Sequence, residues 1–177
     1  VSERDIPLFL IAGNHDNPKM LEYVSGILNR SKVYIAGRIT KEIRHYTLED
    51  ESGPVTFWLL PYIYPEAVSK ILDREDLRTY EEAMRAILNE QQMDTSTRNI
   101  LVSHQNVTCN GVEVERGGSE SLVGGLGGID YSIYDDFDYV ALGHIHSGYH
   151  AGRPEVRYAG TPICYHLEES QKRERGV

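Results

Sequence analysis

The chain has 177 residues, 40% hydrophobic and 25% charged, which argues for one ordinary globular domain and against disorder. No run of about 18 apolar residues occurs, the opening Val1-Ser2-Glu3-Arg4-Asp5 is not a secretory leader, and Cys109 and Cys164 stand without CxxC spacing, so a reduced cytoplasmic setting fits and a membrane span does not. A formal charge of −9 argues against a protein that holds nucleic acid mainly through a basic face, unless positive charge comes from bound metal or from outside this chain.

Residues 7–12 (PLFLIA) have the length of a buried strand, closed by Gly13. Asn17-Pro18 reads as an N-cap with proline at the first helical position, and Leu21, Val24 and Leu28 continue at helical spacing to Asn29. Strands are predicted over residues 33–35, 42–48 and 55–60, the second alternating like a half-solvated edge, with a Ser52-Gly53-Pro54 turn before the third. Helices are predicted over 65–72 and 79–93, the latter opened by a Thr79/Glu82 capping box and carrying an apolar face of Tyr80, Ala83, Met84, Ile87 and Leu88. Residues 99–103 and 138–142 are strands again, the glycine-rich 111–128 between them is a hairpin or mobile loop, and Arg157-Tyr158 is a short last strand. The alternation argues a layered α/β fold in a single unit over residues 1–177, with no second domain.

Three of the apolar strands run into histidine-bearing steps. They are Gly13-Asn14-His15-Asp16, His104, and Gly143-His144-Ile145-His146. In open α/β sheets ligands bind outside the carboxyl ends of strands, so three such ends place these side chains on one rim. His144 and His146, two apart, point to one face if the chain is extended there. With His104 and the amide oxygen of Asn14 they make a mixed nitrogen and oxygen ligand set suited to Mn2+ or Fe2+, with Zn2+ as an alternative; the two cysteines cannot build a tetrathiolate zinc site. Each histidine alone reads as a hydrogen-bonded structural residue, and Asn14 and Asp16 alone as turn residues. Four of seven histidines at predicted strand ends is what the structural reading leaves unexplained, while His45, His150 and His166 read as surface residues.

The GNHD, His104 and GHIH steps, in this order and spacing, resemble the later motifs of the calcineurin-like metallophosphoesterases. A narrower likeness, to SbcD-type DNA repair nucleases, rests on residues 6–16 (IPLFLIAGNHD), 100–105 (ILVSHQ), 137–146 (FDYVALGHIH) and 156–163 (VRYAGTPI). The resemblance implies that Asn14, His104 and His144 hold one metal and His146 a second, that His15 is the catalytic histidine serving the leaving oxygen, and that Asp16 orients its ring. It implies two-metal phosphodiester hydrolysis with no covalent enzyme intermediate, the two divalent ions being Mn2+ by the ligand mixture, with Fe2+ or Zn2+ as alternatives. The partners it implies are double-stranded DNA ends and an SbcC-type ATPase.

The family's Asp-x-His and Gly-Asp-x-x-Asp steps occur nowhere in these 177 residues. The expectation is a metallophosphoesterase sheet with flanking helices, incomplete on its N-terminal side, holding at most a partial metal centre and showing little activity alone. The apolar strand over residues 8–12 is then expected to expose an edge through which the chain self-associates. Two readings compete with a nuclease: a phosphoesterase for small phosphodiesters or nucleotides, which would share the metal centre, and a non-catalytic structural or binding unit.

Overall fold

The computed structural model describes residues 4–109 and 127–163, so most of the glycine-rich segment predicted as a hairpin or loop, with Cys164 and His166, lies outside the described residues. A two-stranded parallel sheet pairs β1 (Leu8–Ile11) with β2 (Val33–Ala36). A six-stranded sheet contains β3 (Arg44–Asp50), β4 (Gly53–Leu60), β5 (Arg98–His104), β8 (Tyr139–Gly143), β9 (Tyr149–His150) and β10 (Val156–Tyr158) in the order β3-β4-β5-β8-β10-β9. Its inner pairs β4–β5, β5–β8 and β8–β10 are parallel, and both edges are closed by antiparallel partners. Two-residue strands β6 (Val107–Thr108) and β7 (Ile129–Asp130) pair separately.

Helices α3 (Pro65–Leu72) and α4 (Tyr80–Asn89) cover one face of the large sheet. Val68, Ala83, Met84 and Ile87 from these helices join Trp58, Leu60, Leu101 and Val140 from the strands in one buried cluster. The predicted capping box is present: Thr79 Oγ1 accepts from the Glu82 N–H and Glu82 Oε2 accepts from the Thr79 N–H. The other face meets the small sheet through aromatic rings. Phe9 of β1 stacks on Phe57 of β4 at 4.5 Å between centroids, and Tyr34 of β2 meets Tyr46 of β3 at 4.2 Å. Two short helices, α1 (Pro18–Glu22) and α2 (Ser25–Leu28), lie against β2 on its outer side. The result is helix, sheet, sheet, helix, the layered α/β architecture expected from sequence.

The predicted single helix over residues 18–29 is broken at Tyr23-Val24. Asn17 caps it as expected, its Oδ1 accepting from the Lys19 and Met20 N–H groups, and Pro18 stands at N1. Neither piece contains a buried residue, so packing does not overcome the poor helix formers Val24, Ser25 and Gly26. The predicted Ser52-Gly53-Pro54 turn sits one step earlier. Gly53 (φ +99) and Pro54 already belong to β4, while Asp50 Oδ1 caps the Ser52 N–H at 2.8 Å. The strand over 42–48 begins two residues later than predicted, and its alternating half-buried and exposed side chains are those of an edge.

Candidate metal centre

Parallel pairing decides which residues meet. In the β5–β8 register His104 stands opposite Gly143, which puts the ends of both strands side by side. The end of β1 is brought to them by a hydrogen bond from the Tyr62 N–H, just past β4, to the Ala12 carbonyl at 2.8 Å. Asn14, His104 and His144 therefore converge from three strand ends on one rim. His104 Nε2 lies 3.1 Å from Asn14 Oδ1, and the His104 and His144 rings meet edge to face at 5.3 Å between centroids.

The motif glycines have a specific steric task. A Cβ on Gly13 would lie 2.8 Å from His104 Cε1 and Nε2, and one on Gly143 would lie 2.7 Å from His104 Nδ1. The imidazole is thus held between two positions that no other residue type leaves open. Behind it, the buried Tyr158 hydroxyl donates to the Gln105 carbonyl at 2.6 Å and accepts from the Val107 N–H at 2.7 Å, fixing the chain that leaves His104.

At residues 144–146 the extended geometry assumed from sequence does not hold. The strand ends at Gly143, and His144 adopts φ +97, a left-handed conformation that costs a non-glycine residue roughly 1–3 kcal/mol. The chain turns there, Ile145 is buried, and His144 reaches His104 because of the turn and not through an i, i+2 alternation. His146 is held by its carbonyl, which accepts from the Thr161 N–H at 3.1 Å, so residues 156–163 brace this loop. His146 lies within electrostatic reach of His104, as do His144, Asp16 and His15, and of these only the Asp16 carboxylate favours the charged imidazole.

His15 is exposed on the turn after Asn14. Asp16 closes that turn: Oδ2 accepts from the Gly13 N–H at 2.7 Å, and the Asp16 N–H donates to the Gly13 carbonyl. In this arrangement the carboxylate supports Gly13, and through it the bed of His104, and not the His15 ring.

Burial, then the neighbouring His144, pushes His104 down to about 4 from an ordinary 6.5, so near neutrality the imidazole is uncharged and available as a ligand. The donor spacing also fits an ion. Two ligands at right angles on an ion with bonds of about 2.1 Å stand about 3 Å apart, close to the 3.1 Å between His104 Nε2 and Asn14 Oδ1. Among the described residues no three His, Cys, Asp or Glu side chains are gathered into a cation cage, and the set that meets at His104 is one amide and two imidazoles.

Tyr62 was not among the residues expected at the site. It follows Pro61 beyond the end of β4, a fourth strand end on the same rim, and its ring stands 6.2 Å from that of His104 and 6.1 Å from that of His144. Reading every strand end as a source of site residues, and not only the histidine-bearing ones, would have found it.

Residues 1–148 match the family described as calcineurin-like phosphoesterase, and the chain belongs to that family. It is similar to the D subunit of the nuclease SbcCD from Staphylococcus epidermidis, with 26% identity over 171 residues covering 94% of this chain and 44% of that protein. It is equally similar to the D subunit of the nuclease SbcCD from Staphylococcus saprophyticus, with 26% identity over 172 residues covering 96% of this chain and 44% of that protein. The chain thus spans less than half the length of these curated relatives. Membership of the calcineurin-like phosphoesterase family implies divalent metal ions. No helix among the described residues is long and apolar enough to cross a membrane.

Proposed function

We propose that this chain carries the His104 half of a divalent-metal centre that hydrolyses phosphodiesters in DNA, as part of a nuclease acting on double-strand ends with an SbcC-type ATPase in the cytoplasm. The observation that supports this most is the convergence of Asn14, His104 and His144 from three strand ends, at ligand spacing and with His104 neutral. Similarity to the SbcCD nucleases supports this reading over a small-phosphodiester enzyme.

In this proposal Asn14, His104 and His144 hold one ion and His146 reaches toward a second. Divalent ions held by these residues would supply Lewis-acid polarisation of the phosphoryl group and activation of water. His15, exposed beside the ligands, gives a proton to the leaving oxygen. Asp16 contributes through Gly13, keeping the turn that aims Asn14 and His15. The carboxylate that acts on His104, Asp16, is engaged with the Gly13 N–H, so the chain alone is expected to take up metal weakly and turn over little DNA.

Calorimetric titration with Mn2+, run beside an assay on linear duplex DNA, tests the proposal. The expected result is weak Mn2+ uptake that His104→Ala abolishes and His15→Ala spares, with little cleavage by the chain alone. Mn2+ uptake indifferent to His104→Ala would overturn the centre, and full Mn2+-dependent cleavage would overturn the assignment of half a site.

A further inference from the structure

Beside the histidines stands a group of three tyrosines that the hydrolytic chemistry does not use. Tyr62 meets Tyr64 edge to face at 4.9 Å and Tyr80 at 6.0 Å, and its hydroxyl donates to the Tyr80 hydroxyl at 3.2 Å. Burial, then the Tyr80 hydroxyl, raises Tyr62 above its ordinary value, so it is a neutral ring throughout the physiological range. Tyr80 is anchored on α4, which packs into the core, so Tyr62 is held from behind while its ring fronts His104 and His144. Tyr64 is different: it is 45% exposed although it sits one ring beyond the metal ligands. Packing accounts for Tyr62 and Tyr80 but leaves the exposed ring of Tyr64 unexplained.

We propose that Tyr64, backed by Tyr62, is a stacking platform for an unpaired nucleobase whose phosphate lies at the His104 centre. The proposal rests on the nucleic-acid reading above and adds the part of the substrate that is bound. Every base has a flat π-face, so stacking is tolerant of sequence and requires that the base be out of its pair. It also answers the charge problem, because a protein of net charge −9 gains little from phosphate contacts along a basic groove. The base, not the backbone, then supplies the grip, and the strand end must fray before it is held. Cation–π and membrane-type uses of aromatic rims fit less well, since the neighbouring groups are the site's own histidines.

The probe is a short single strand carrying 2-aminopurine at its terminal position, with Mn2+ present, read by quenching of the base on the intact chain. Wild type and Tyr64→Phe should bind alike, whereas Tyr64→Ala should bind about tenfold more weakly. Tyr64 is exposed, so the alanine variant is expected to fold, and circular dichroism checks this. A strand with an abasic terminal position should bind wild type about as weakly as the normal strand binds Tyr64→Ala. Equal affinity of wild type and Tyr64→Ala, indifference to the missing base, or no strand binding by wild type would each overturn the platform. Mn2+ uptake by wild type, measured without DNA, reports on the metal centre alone, so failure of the platform and failure of the metal reading are told apart.

Discussion

The ring of His104 sits where two glycines permit it, and this makes the glycines experimentally useful. Gly13→Ala and Gly143→Ala each push a methyl group against the imidazole from a distance that real Cβ contacts do not show. Neither glycine has positive φ, so the effect should be steric displacement and not backbone strain. Supporting residues around metal ligands typically matter by about 10–100-fold in affinity, and a loss of that size in Mn2+ affinity, read by calorimetry, is expected for each variant. Unchanged affinity would show that the His104 position is not what binds metal. His144 supplies a second test. Its φ of +97 is one that glycine adopts freely, so His144→Gly should be more stable than His144→Ala by about 1 kcal/mol in denaturant melts, while both lose metal. Equal stability would mean that the turn relaxes once the imidazole is gone. At this scale part of the candidate site was legible: of Asn14, His104, His144 and His146, read from strand ends, His104 meets both Asn14 and His144. The turn at His144 was not, because alternation along a strand gives no sign of where the strand stops. Nor was the steric role of the glycines, which depends on a ring 91 and 39 positions away in sequence (104 − 13 and 143 − 104).

Among the elements, α1 is held by one partly buried carboxylate more than by its own helicity. Glu22 Oε1 accepts from the Gly37 and Arg38 N–H groups at 3.0 Å each and pairs with Arg44 at 3.0 Å, while Oε2 pairs with Arg38 Nε at 2.8 Å. Burial by itself would raise this carboxyl, but the Arg38 and Gly37 contacts and the Arg44 charge outweigh it and leave it below the ordinary 4.5. A depressed carboxyl stabilises the fold above its unfolded value and loses that contribution as pH falls through the folded one. Glu22→Gln should therefore cost about 1–3 kcal/mol at pH 7, and its deficit relative to wild type should shrink below about pH 4.5. A deficit constant from pH 7 to pH 3 would show that charge is not what Glu22 contributes. The network was invisible in the sequence, since nothing in local spacing links Glu22 to Arg38 and Arg44.

The strand β1 pairs with β2 on one side, and among the described residues no strand pairs with its other edge. Leu10 on that strand is 36% exposed. An unpaired edge that carries an exposed apolar side chain is a template for pairing with a second chain. Concentration-dependent association is the expected result in multi-angle light scattering, weakened by Leu10→Lys. A monomer at all concentrations would leave that edge as a tolerated exposure.

The described residues form a sandwich in which the β1–β2 sheet meets the six-stranded sheet through Phe9, Tyr34, Tyr46 and Phe57, with the proposed metal centre at one rim. The alternation of strands and helices, and the apolar faces of α3 and α4, made the layers legible in sequence. Pairing order was not, because periodicity says which face a strand buries and nothing about its neighbours. The division into two sheets depends on aromatic contacts between residues such as Phe9 and Phe57 that no local pattern connects. Two-residue strands such as β9 were likewise invisible, spanning only a single period of alternation. This architecture brings together the ends of β1, β5 and β8, and the proposed function stands or falls on whether metal binds where they meet. The most direct measurement is anomalous scattering at the manganese edge from crystals soaked in Mn2+. The predicted result is a peak within bonding distance of Asn14 Oδ1, His104 Nε2 and the His144 ring, and no peak there in His104→Ala. A peak elsewhere on the chain, or none at millimolar Mn2+ with His104 intact, would contradict the metal centre.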